Sequence, residues 1–148
     1  MDNSAEMLTI EAIKSLKARY FRTMDGKDWT GLAEIFAPDL IADFREATPE
    51  RNEAMLIHGA EPYLAMLAPM LDAVVTVHHG HMPEIHVEDA DHASGIWAME
   101  DWLWPGEGSA LPFRWLHGWG HYHERYRRID GTWRIASIRL TRLRVEQG

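Results

Sequence analysis

The sequence predicts an α+β fold in which helices from the first half of the chain pack on one face of a curved, mainly antiparallel sheet. Apolar residues recur at helical spacing up to residue 71, and long alternating, β-branched stretches begin at residue 73. The dipeptide Asp130-Gly131 tolerates the positive φ of a tight turn, which predicts a hairpin between the last two strands. We expect one domain over residues 1–148, with a concave mouth where the sheet wraps around a helix.

The helical half begins with a long amphipathic helix, whose N-cap we expect at Thr9 and whose end we expect at Gly26. Its apolar positions are Ile10, Ile13, Leu16, Tyr20 and Met24, and the charged residues Lys14, Lys17 and Arg22 lie between them. Asp28 is suited to cap a second, short helix. A third helix is predicted over residues 62–71, with an interruption near Pro69.

Strands are expected in the rest of the chain, bounded by residues that favour turns. The predicted strands cover residues 40–44, 74–81, 84–88, 94–104, 115–129 and 132–145. A polar stretch over residues 46–53 and a Gly/Pro stretch over residues 105–112 are expected to be loops. Helices followed by long hairpin-linked strands are typical of an α+β domain.

Composition and charge exclude several classes of protein. The chain has no cysteine, which excludes disulfides, thiolate metal ligands and cysteine nucleophiles. The net charge of −8 argues against a nucleic-acid partner, although residues 122–148 carry seven arginines against three acidic residues. We expect those arginines to pair with acidic helices or with a second subunit. The start lacks the character of a signal peptide and no stretch is apolar enough to span a membrane, so we expect a soluble cytoplasmic protein.

Histidine is the candidate proton carrier in this sequence. The chain has nine histidines, three of them in the run His78-His79-Gly80-His81, and histidine changes charge near neutral pH. A catalytic histidine needs a carboxylate that fixes its tautomer, and Asp25, at the end of an apolar helix, is a partly buried candidate. A simple role in the turn beside Gly26 is the alternative for Asp25. The chain has no glycine-rich phosphate loop and no Gly-x-Ser-x-Gly elbow, so we expect no nucleotide cofactor and no serine hydrolysis.

The histidines also allow a metal site as an alternative. Alternation along the strand places His79 and His81 on one face and Thr76 and His78 on the other, without indicating which face lines a pocket. The pair His79/His81, like His121/His123, has the spacing of two metal ligands on one strand.

Seven tryptophans are the second unusual feature. Five of them lie on two neighbouring predicted strands: Trp97, Trp102, Trp104, Trp115 and Trp119. They either fill the sheet core and a subunit interface or form the wall of a pocket for a flat polycyclic ligand.

Several motifs together resemble the SnoaL-like branch of the nuclear-transport-factor-2-like superfamily. They are Tyr20-Phe-Arg-Thr-Met-Asp25-Gly-Lys, His78-His-Gly-His-Met-Pro-Glu84, Gly95-Ile-Trp-Ala-Met-Glu-Asp101 and Tyr122-x-x-x-Tyr126-x-x-x-Asp130-Gly-x-Trp133. The resemblance covers nearly the whole chain and is greatest to the bile acid 7α-dehydratase, with scytalone dehydratase and hexachlorocyclohexane dehydrochlorinase more distant. It implies a cone-shaped fold, a blind hydrophobic pocket, and assembly as a homo-oligomer, a trimer or a dimer, through the outer face of the sheet.

The resemblance also implies roles for individual residues. Tyr20 and Asp25 match a catalytic tyrosine and aspartate five residues apart on the first helix, and His78 matches the catalytic histidine. Asp101 matches an aspartate on the long strand. A pocket tyrosine of the relatives appears here as Phe44, which lacks the hydroxyl. The resemblance thus places Phe44 in the substrate pocket, and we expect Trp97, Met99 and Trp102 to line the pocket as well.

Together these matches predict a cofactor-independent lyase, a dehydratase of a hydrophobic, steroid-like or polycyclic hydroxy-ketone. His78, held by Asp25, would be the general base and Tyr20 the acid, while Asp101 would position the substrate. A ketosteroid-isomerase-like or cyclase-like enzyme and a non-catalytic small-molecule-binding protein are the alternatives. The expected partner is a small hydrophobic substrate, with no metal, nucleic acid or membrane.

Overall fold

A computed structural model describes residues 1–148. The chain forms helix α1 (Asn3–Asp25), helix α2 (Trp29–Ala33), strand β1 (Phe36–Asp43), a 3₁₀ turn (Glu53–Met55), strand β2 (Leu56–His58), helix α3 (Ala60–Leu71), and strands β3 (Val74–Val87), β4 (His92–Pro105), β5 (Leu116–Ile129) and β6 (Thr132–Gln147). The expected α+β order is confirmed.

One six-stranded sheet in the order β2-β1-β6-β5-β4-β3 carries the fold. Neighbouring strands are antiparallel except for β1 and β6, which run parallel, so the prediction of a mainly antiparallel sheet is confirmed. The helices pack on one face of this curved sheet, as expected for the cone-shaped fold that the resemblance implies. Between them lies a core that includes Ile13, Leu16, Tyr20, Leu32, Phe36, Leu40, Tyr63, Tyr122, Ile135 and Ile138.

Two expectations about the helices are wrong for identifiable reasons. Helix α1 begins at Asn3 because the Asp2 side chain accepts a hydrogen bond from the Ala5 N–H, so Thr9 is not the N-cap. Helix α3 continues through Pro69 as far as Leu71, because a proline this close to the end disturbs only the last turn. Asp28 caps α2 as predicted, by accepting from the Gly31 N–H.

The two strands predicted on either side of residue 82 form one strand, β3. Its register with β4 shifts between Gly80 and Pro83. Since proline has no N–H to donate, a β-bulge at this point lets the strand continue past Pro83. The short strand β2 was not predicted, because three residues are too few to show alternation.

Six of the seven C-terminal arginines pair with acidic side chains of the same chain, and none of those partners lies on a helix, so the expected pairing with acidic helices is wrong. Arg127 contacts Asp39 at 2.6 Å, Arg125 contacts Glu88 at 3.0 Å, and Arg142 contacts Asp101 at 2.7 Å. No helix combines the length and the apolar character that crossing a bilayer requires.

Candidate active site

Asp25 and His78 form a direct pair between the helical layer and the sheet. Asp25 is the last residue of α1, and His78 lies on β3. The Asp25 Oδ1 atom lies 2.6 Å from His78 Nδ1, and Asp25 Oδ2 accepts the backbone N–H of the same histidine at 2.9 Å. Because a carboxylate only accepts hydrogen bonds, the His78 proton lies on Nδ1 and its Nε2 is free to accept one.

Thr76 completes the surroundings of the Asp25 carboxylate. Its hydroxyl donates to Asp25 Oδ1 at 2.9 Å and accepts from the Lys27 ammonium at 2.8 Å. Burial acts to raise the pKa of Asp25, but the hydrogen bonds and charge of His78 and the hydroxyl of Thr76 outweigh it, so the pKa lies below its ordinary value. Asp25 therefore stays ionised and can stabilise a positive charge on His78.

Asp101 lies directly opposite His78 on the neighbouring strand β4. One of its carboxylate oxygens is 3.9 Å from His78 Nε2. The Arg142 guanidinium from β6 holds both Asp101 oxygens, at 2.7 and 3.1 Å, and its Nε donates to the backbone oxygen of Ala47 at 2.9 Å. This two-bond contact fixes the orientation of Asp101 beside the imidazole.

Gly118 makes room for the Asp101–Arg142 pair. Asp101 and Gly118 are register partners on β4 and β5. A Cβ atom at position 118 would overlap the Arg142 guanidinium and would lie 2.8 Å from Asp101 Oδ1. The glycine is therefore required by close approach of side chains rather than by its own backbone conformation.

Three tyrosines, Tyr20, Tyr63 and Tyr122, line the same cavity as Asp101 and Arg142. Their side chains are fully buried. Burial raises the pKa of Tyr20 well above its ordinary value, and the nearby Tyr122 and Tyr63 raise it further. Tyr20 consequently keeps its proton and is available as a hydrogen-bond donor or acid.

These groups open into one mainly apolar cavity of about 180 Å³. Its polar lining consists of Tyr20, Tyr63, Thr76, His78, Asp101, Tyr122 and Arg142, together with Thr48. The apolar lining includes Met24, Phe44, Met55, Met66, Met70, Leu103, Leu111 and Phe113. Flexible methionines line several sides, which suits an apolar ligand of irregular shape. The arrangement can bind a small apolar molecule and present one proton acceptor and several donors to it.

The structure brings together five of the eight predicted site residues and separates three. Tyr20, His78 and Asp101 line the cavity, and Asp25 supports His78 from behind. Phe44 also lines it and stacks on Tyr63 with ring centroids 5.6 Å apart.

Trp97, Met99 and Trp102 do not line the cavity, so this part of the predicted pocket is wrong. Trp97 is buried in the core, where its Nε1 donates to the Tyr126 hydroxyl at 2.8 Å. Met99 is buried behind Arg142, whose guanidinium lies 3.7 Å from its sulfur. Trp102 faces the other side of the sheet, stacked on His117 and Trp104. Trp102 and Asp101 lie on opposite faces of the sheet because consecutive side chains of a strand point to opposite sides.

The histidines of the metal hypothesis lie outside the cavity. His79 and His81 are exposed on the outer face of the sheet, where their ring nitrogens lie 4.0 and 3.4 Å from one oxygen of Glu100. No group of three or more histidine, aspartate or glutamate side chains in the chain is arranged to hold a metal ion. The rings of His121 and His123 are 6.3 Å apart.

Several residues of the site were missed by sequence reasoning. Thr76, Tyr63, Tyr122 and Arg142 all line the cavity, and Gly118 lies beneath it. Alternation on β3 already placed Thr76 on the same face as His78, so that signal was present in the sequence. Arg142 had no comparable signal, because one of seven arginines in the C-terminal segment cannot be singled out without the strand register.

Comparison with known proteins shows the family of this chain. The family model of the SnoaL-like domain matches residues 5–139. The chain belongs to this family. The match covers α1, where Asp25 lies, and strands β3 to β5, which carry His78, Asp101 and Tyr122. The narrower likeness to the bile acid 7α-dehydratase stays a prediction.

The proteins that are similar to this chain in sequence or in fold have different names. The scytalone dehydratase arp1 of Aspergillus fumigatus is 28% identical over 137 residues, which are 88% of this chain and 79% of that protein. A solved hexachlorocyclohexane dehydrochlorinase, LinA type 2, matches 99% of this chain and 93% of its own with a TM-score of 0.80 at 18% identity, which shows the shared fold. A Mycobacterium tuberculosis protein of unknown function matches 93% of this chain and 78% of its own with a TM-score of 0.74 at 27% identity.

Proposed function

We propose that this SnoaL-like protein is a cofactor-independent dehydratase of a compact, mainly apolar hydroxy-ketone. The observation that carries the proposal is the Asp25–His78 pair, in which Asp25 holds both the ring and the backbone N–H of His78. This leaves His78 Nε2 as the proton acceptor that faces the cavity. A fixed imidazole in an apolar enclosure is suited to general acid–base catalysis.

In the proposed reaction, His78 Nε2 takes a proton from a carbon atom acidified by a carbonyl group of the substrate. The electron pair of that C–H bond forms the new C=C bond while the C–O bond to the hydroxyl breaks. The departing hydroxyl takes a proton from Tyr20, or directly from the imidazolium, and leaves as water. If Tyr20 gives the proton, the imidazolium returns one to it, so the enzyme ends the cycle unchanged. Asp25 stays ionised throughout and stabilises the imidazolium.

Asp101 and Arg142 take a positioning role in this scheme. Asp101 accepts two hydrogen bonds from Arg142, so its carboxylate has a fixed place beside His78 Nε2. It can accept a hydrogen bond from the substrate hydroxyl and orient the C–O bond for departure.

The size of the cavity narrows the substrate class. Pockets for drug-sized ligands measure roughly 300–1,000 Å³, whereas this cavity measures about 180 Å³. We therefore propose a substrate with one or two rings rather than a steroid-like or larger polycyclic skeleton, which the resemblance implies. A steroid-sized substrate would require the cavity to open.

The names of the relatives support a lyase. A dehydratase and a dehydrochlorinase both remove a small molecule from their substrate, and both cover most of this chain. An isomerase would use the same pair without releasing water, and a binding protein would need the cavity but not the basic nitrogen.

The test is a panel of one- and two-ring β-hydroxy-ketones, in which loss of one water is followed by mass spectrometry and by the absorbance of the conjugated product. Wild-type protein should dehydrate at least one member, and His78→Ala should lower the rate about 10²–10⁴-fold. The control is His92→Ala, because His92 is an exposed histidine paired with Asp89 at 2.9 Å. Product of unchanged mass would indicate an isomerase, and turnover that survives His78→Ala would reject the proposed base.

A further inference from the structure

Lys17 carries a buried charge and takes no part in the proposed mechanism. It lies on α1 one turn before Tyr20, and its side chain is 0% exposed. Its ammonium forms an ion pair with Glu124 on β5 at 2.7 Å, and Glu124 is equally buried. Neither side chain lines the cavity.

A buried ion pair of this kind is not explained by stability alone. Removing two charges from water costs free energy that their attraction often fails to return, and apolar residues of similar volume are frequently as stabilising. The position would otherwise suit an apolar residue, since Ile13, Leu16 and Tyr20 on the same helix are all buried. The contacts of Lys17 therefore call for another explanation.

The ammonium of Lys17 lies between two tyrosine rings that line the cavity. Its nitrogen is 3.7 Å from the ring centroid of Tyr20 and 3.6 Å from that of Tyr122, and Phe21 is farther away at 4.9 Å. These are close cation–π contacts of a fully buried ammonium, and such contacts are strongest where the cation is desolvated. A cation on the face of a phenol ring draws electron density from it and polarises its O–H bond.

Glu124 is itself fixed by a chain of hydrogen bonds. Its second oxygen accepts the Tyr126 hydroxyl at 2.8 Å, and the oxygen of that hydroxyl accepts Trp97 Nε1 at 2.8 Å. Both carboxylate oxygens thus have hydrogen-bond partners, which fixes the Glu124 side chain and keeps the ammonium in place between the rings. Trp97, which was expected in the pocket, is instead part of this chain of hydrogen bonds.

We propose that Lys17 is a positioning residue that acts through Tyr20 and Tyr122: its ammonium, held between the two rings, makes both hydroxyls stronger hydrogen-bond donors toward an oxygen atom of the ligand. In the dehydratase scheme this oxygen is the departing hydroxyl or the carbonyl on which negative charge develops. The consequence for turnover rests on the proposed function, whereas the effect on the phenols does not.

The charge on Lys17 changes at a pH of about 8. The groups that face its ammonium are Tyr20 and Phe21 from α1 and Tyr122 and Glu124 from β5. Burial lowers the pKa of Lys17 to about 8, against the opposing effect of Glu124. The cation is therefore present at neutral pH and is lost as the pH rises above about 8.

The first experiment measures the phenol without any substrate. Tyr20 is replaced by a trifluorotyrosine, whose ring ionises at lower pH than tyrosine, and the ionisation is followed by ultraviolet absorbance. In the double variant Lys17→Met/Glu124→Gln the phenol should ionise about one pH unit higher than in the wild-type background. The control is Lys14→Met/Glu11→Gln, which removes an exposed ion pair from the same helix and should cause no shift. An unchanged or lower ionisation pH in the Lys17 double variant would overturn the proposal.

A second variant covers the case in which the double variant does not fold. Lys17→Arg can keep the ion pair with Glu124, and an arginine stays charged at the pH where Lys17 loses its charge. Above pH 8 the trifluorotyrosine should therefore be ionised to a greater extent in this variant than in the wild type, where the cation is gone. An ionised fraction equal to or below that of the wild type would overturn the proposal.

The second experiment measures turnover of whichever ketone the panel identifies. In the double variant, kcat should fall about 10-fold while KM changes little, and a decline of kcat above pH 8 should disappear from the pH profile. A folded double variant with wild-type kcat and an unchanged profile would show that Lys17 has only a structural role. Wild-type protein that turns over nothing would reject the dehydratase proposal, and the phenol titration would still decide the role of Lys17.

Discussion

Asp25 binds His78 twice, through the ring Nδ1 at 2.6 Å and through the backbone N–H at 2.9 Å. One carboxylate thus fixes both the place of the strand and the orientation of the ring. The end of α1 and the sheet are therefore joined through His78, the residue on which the proposed chemistry depends.

The first prediction concerns this double contact. In Asp25→Asn the amide oxygen can still accept the backbone N–H, but the amide N–H then faces Nδ1 and forces the histidine proton onto Nε2. Since Nε2 could no longer accept a proton, kcat/KM for dehydration should fall about 10²–10⁴-fold with the fold retained. Steady-state kinetics and circular dichroism check this.

Asp89→Asn is the matched control for that variant. Asp89 contacts His92 Nδ1 at 2.9 Å in the same chemical arrangement, but both residues are exposed. Its kcat/KM should equal that of the wild type. Equal activity in Asp25→Asn and Asp89→Asn would contradict the role of Asp25.

The second prediction concerns stability against pH. The pKa of Asp25 is lower in the folded protein than its ordinary value of 3.8. A group of this kind stabilises the fold above its unfolded pKa, and the contribution is lost as the pH falls through the folded pKa. Urea denaturation should show that the stability difference between wild type and Asp25→Asn is largest above pH 4 and shrinks in more acid solution. A difference that stays constant down to pH 2 would speak against an ionised, hydrogen-bonded Asp25.

The third prediction concerns the space under Asp101 and Arg142. Gly118→Ala would place a methyl group where the two side chains meet, so the pair must move. We expect a loss of stability of about 1–3 kcal/mol and a fall in kcat/KM of about 10-fold, measured by denaturation and by kinetics.

A double-mutant cycle separates the clash from other effects of the alanine. In an Arg142→Met background the guanidinium is absent, and Gly118→Ala should cost clearly less than in the wild type. The same cost in both backgrounds would show that the methyl group is tolerated beside Arg142 and disturbs something else.

The fourth prediction concerns the size of the ligand. Binding of cyclohexanone, 2-tetralone and a three-ring ketone, measured by calorimetry, should be tightest for a one- or two-ring member, because the cavity measures about 180 Å³. Phe44→Ala removes a ring from the cavity wall and should move the preference toward three rings. The control is Leu143→Ala at an exposed position, which should leave the preference unchanged. Tightest binding of the three-ring ketone by the wild type would refute the size limit.

Local sequence patterns predicted much of the fold, and the resemblance of the motifs indicated Asp25 and His78 as the candidate catalytic pair. The helical spacing of Ile13, Leu16 and Tyr20 and the turn at Asp130-Gly131 are short-range features, and the structure contains the elements they predict. The likeness around Asp25 and around His78 selected two residues that the structure places in contact across 53 positions of chain.

Long-range register could not be obtained in the same way. The pairing of Asp101 with Arg142 depends on the order of three strands and on a register shift between Trp119 and Gly120. Lys17 looked like one of several charged residues between apolar positions, but the ion pair with Glu124, 107 positions away, lets it be buried. Trp102 was assigned to the pocket by its chemistry, although the pleat turns it to the opposite face from Asp101.

All four tyrosines of the chain have no more than 1% of their surface exposed. Burial raises the pKa of all four phenols, so an unmodified tyrosine is expected to keep its proton until the helices separate from the sheet. In an alkaline titration the appearance of tyrosinate should therefore coincide with the collapse of the native state, which makes the lining of the cavity a label-free reporter of its own opening.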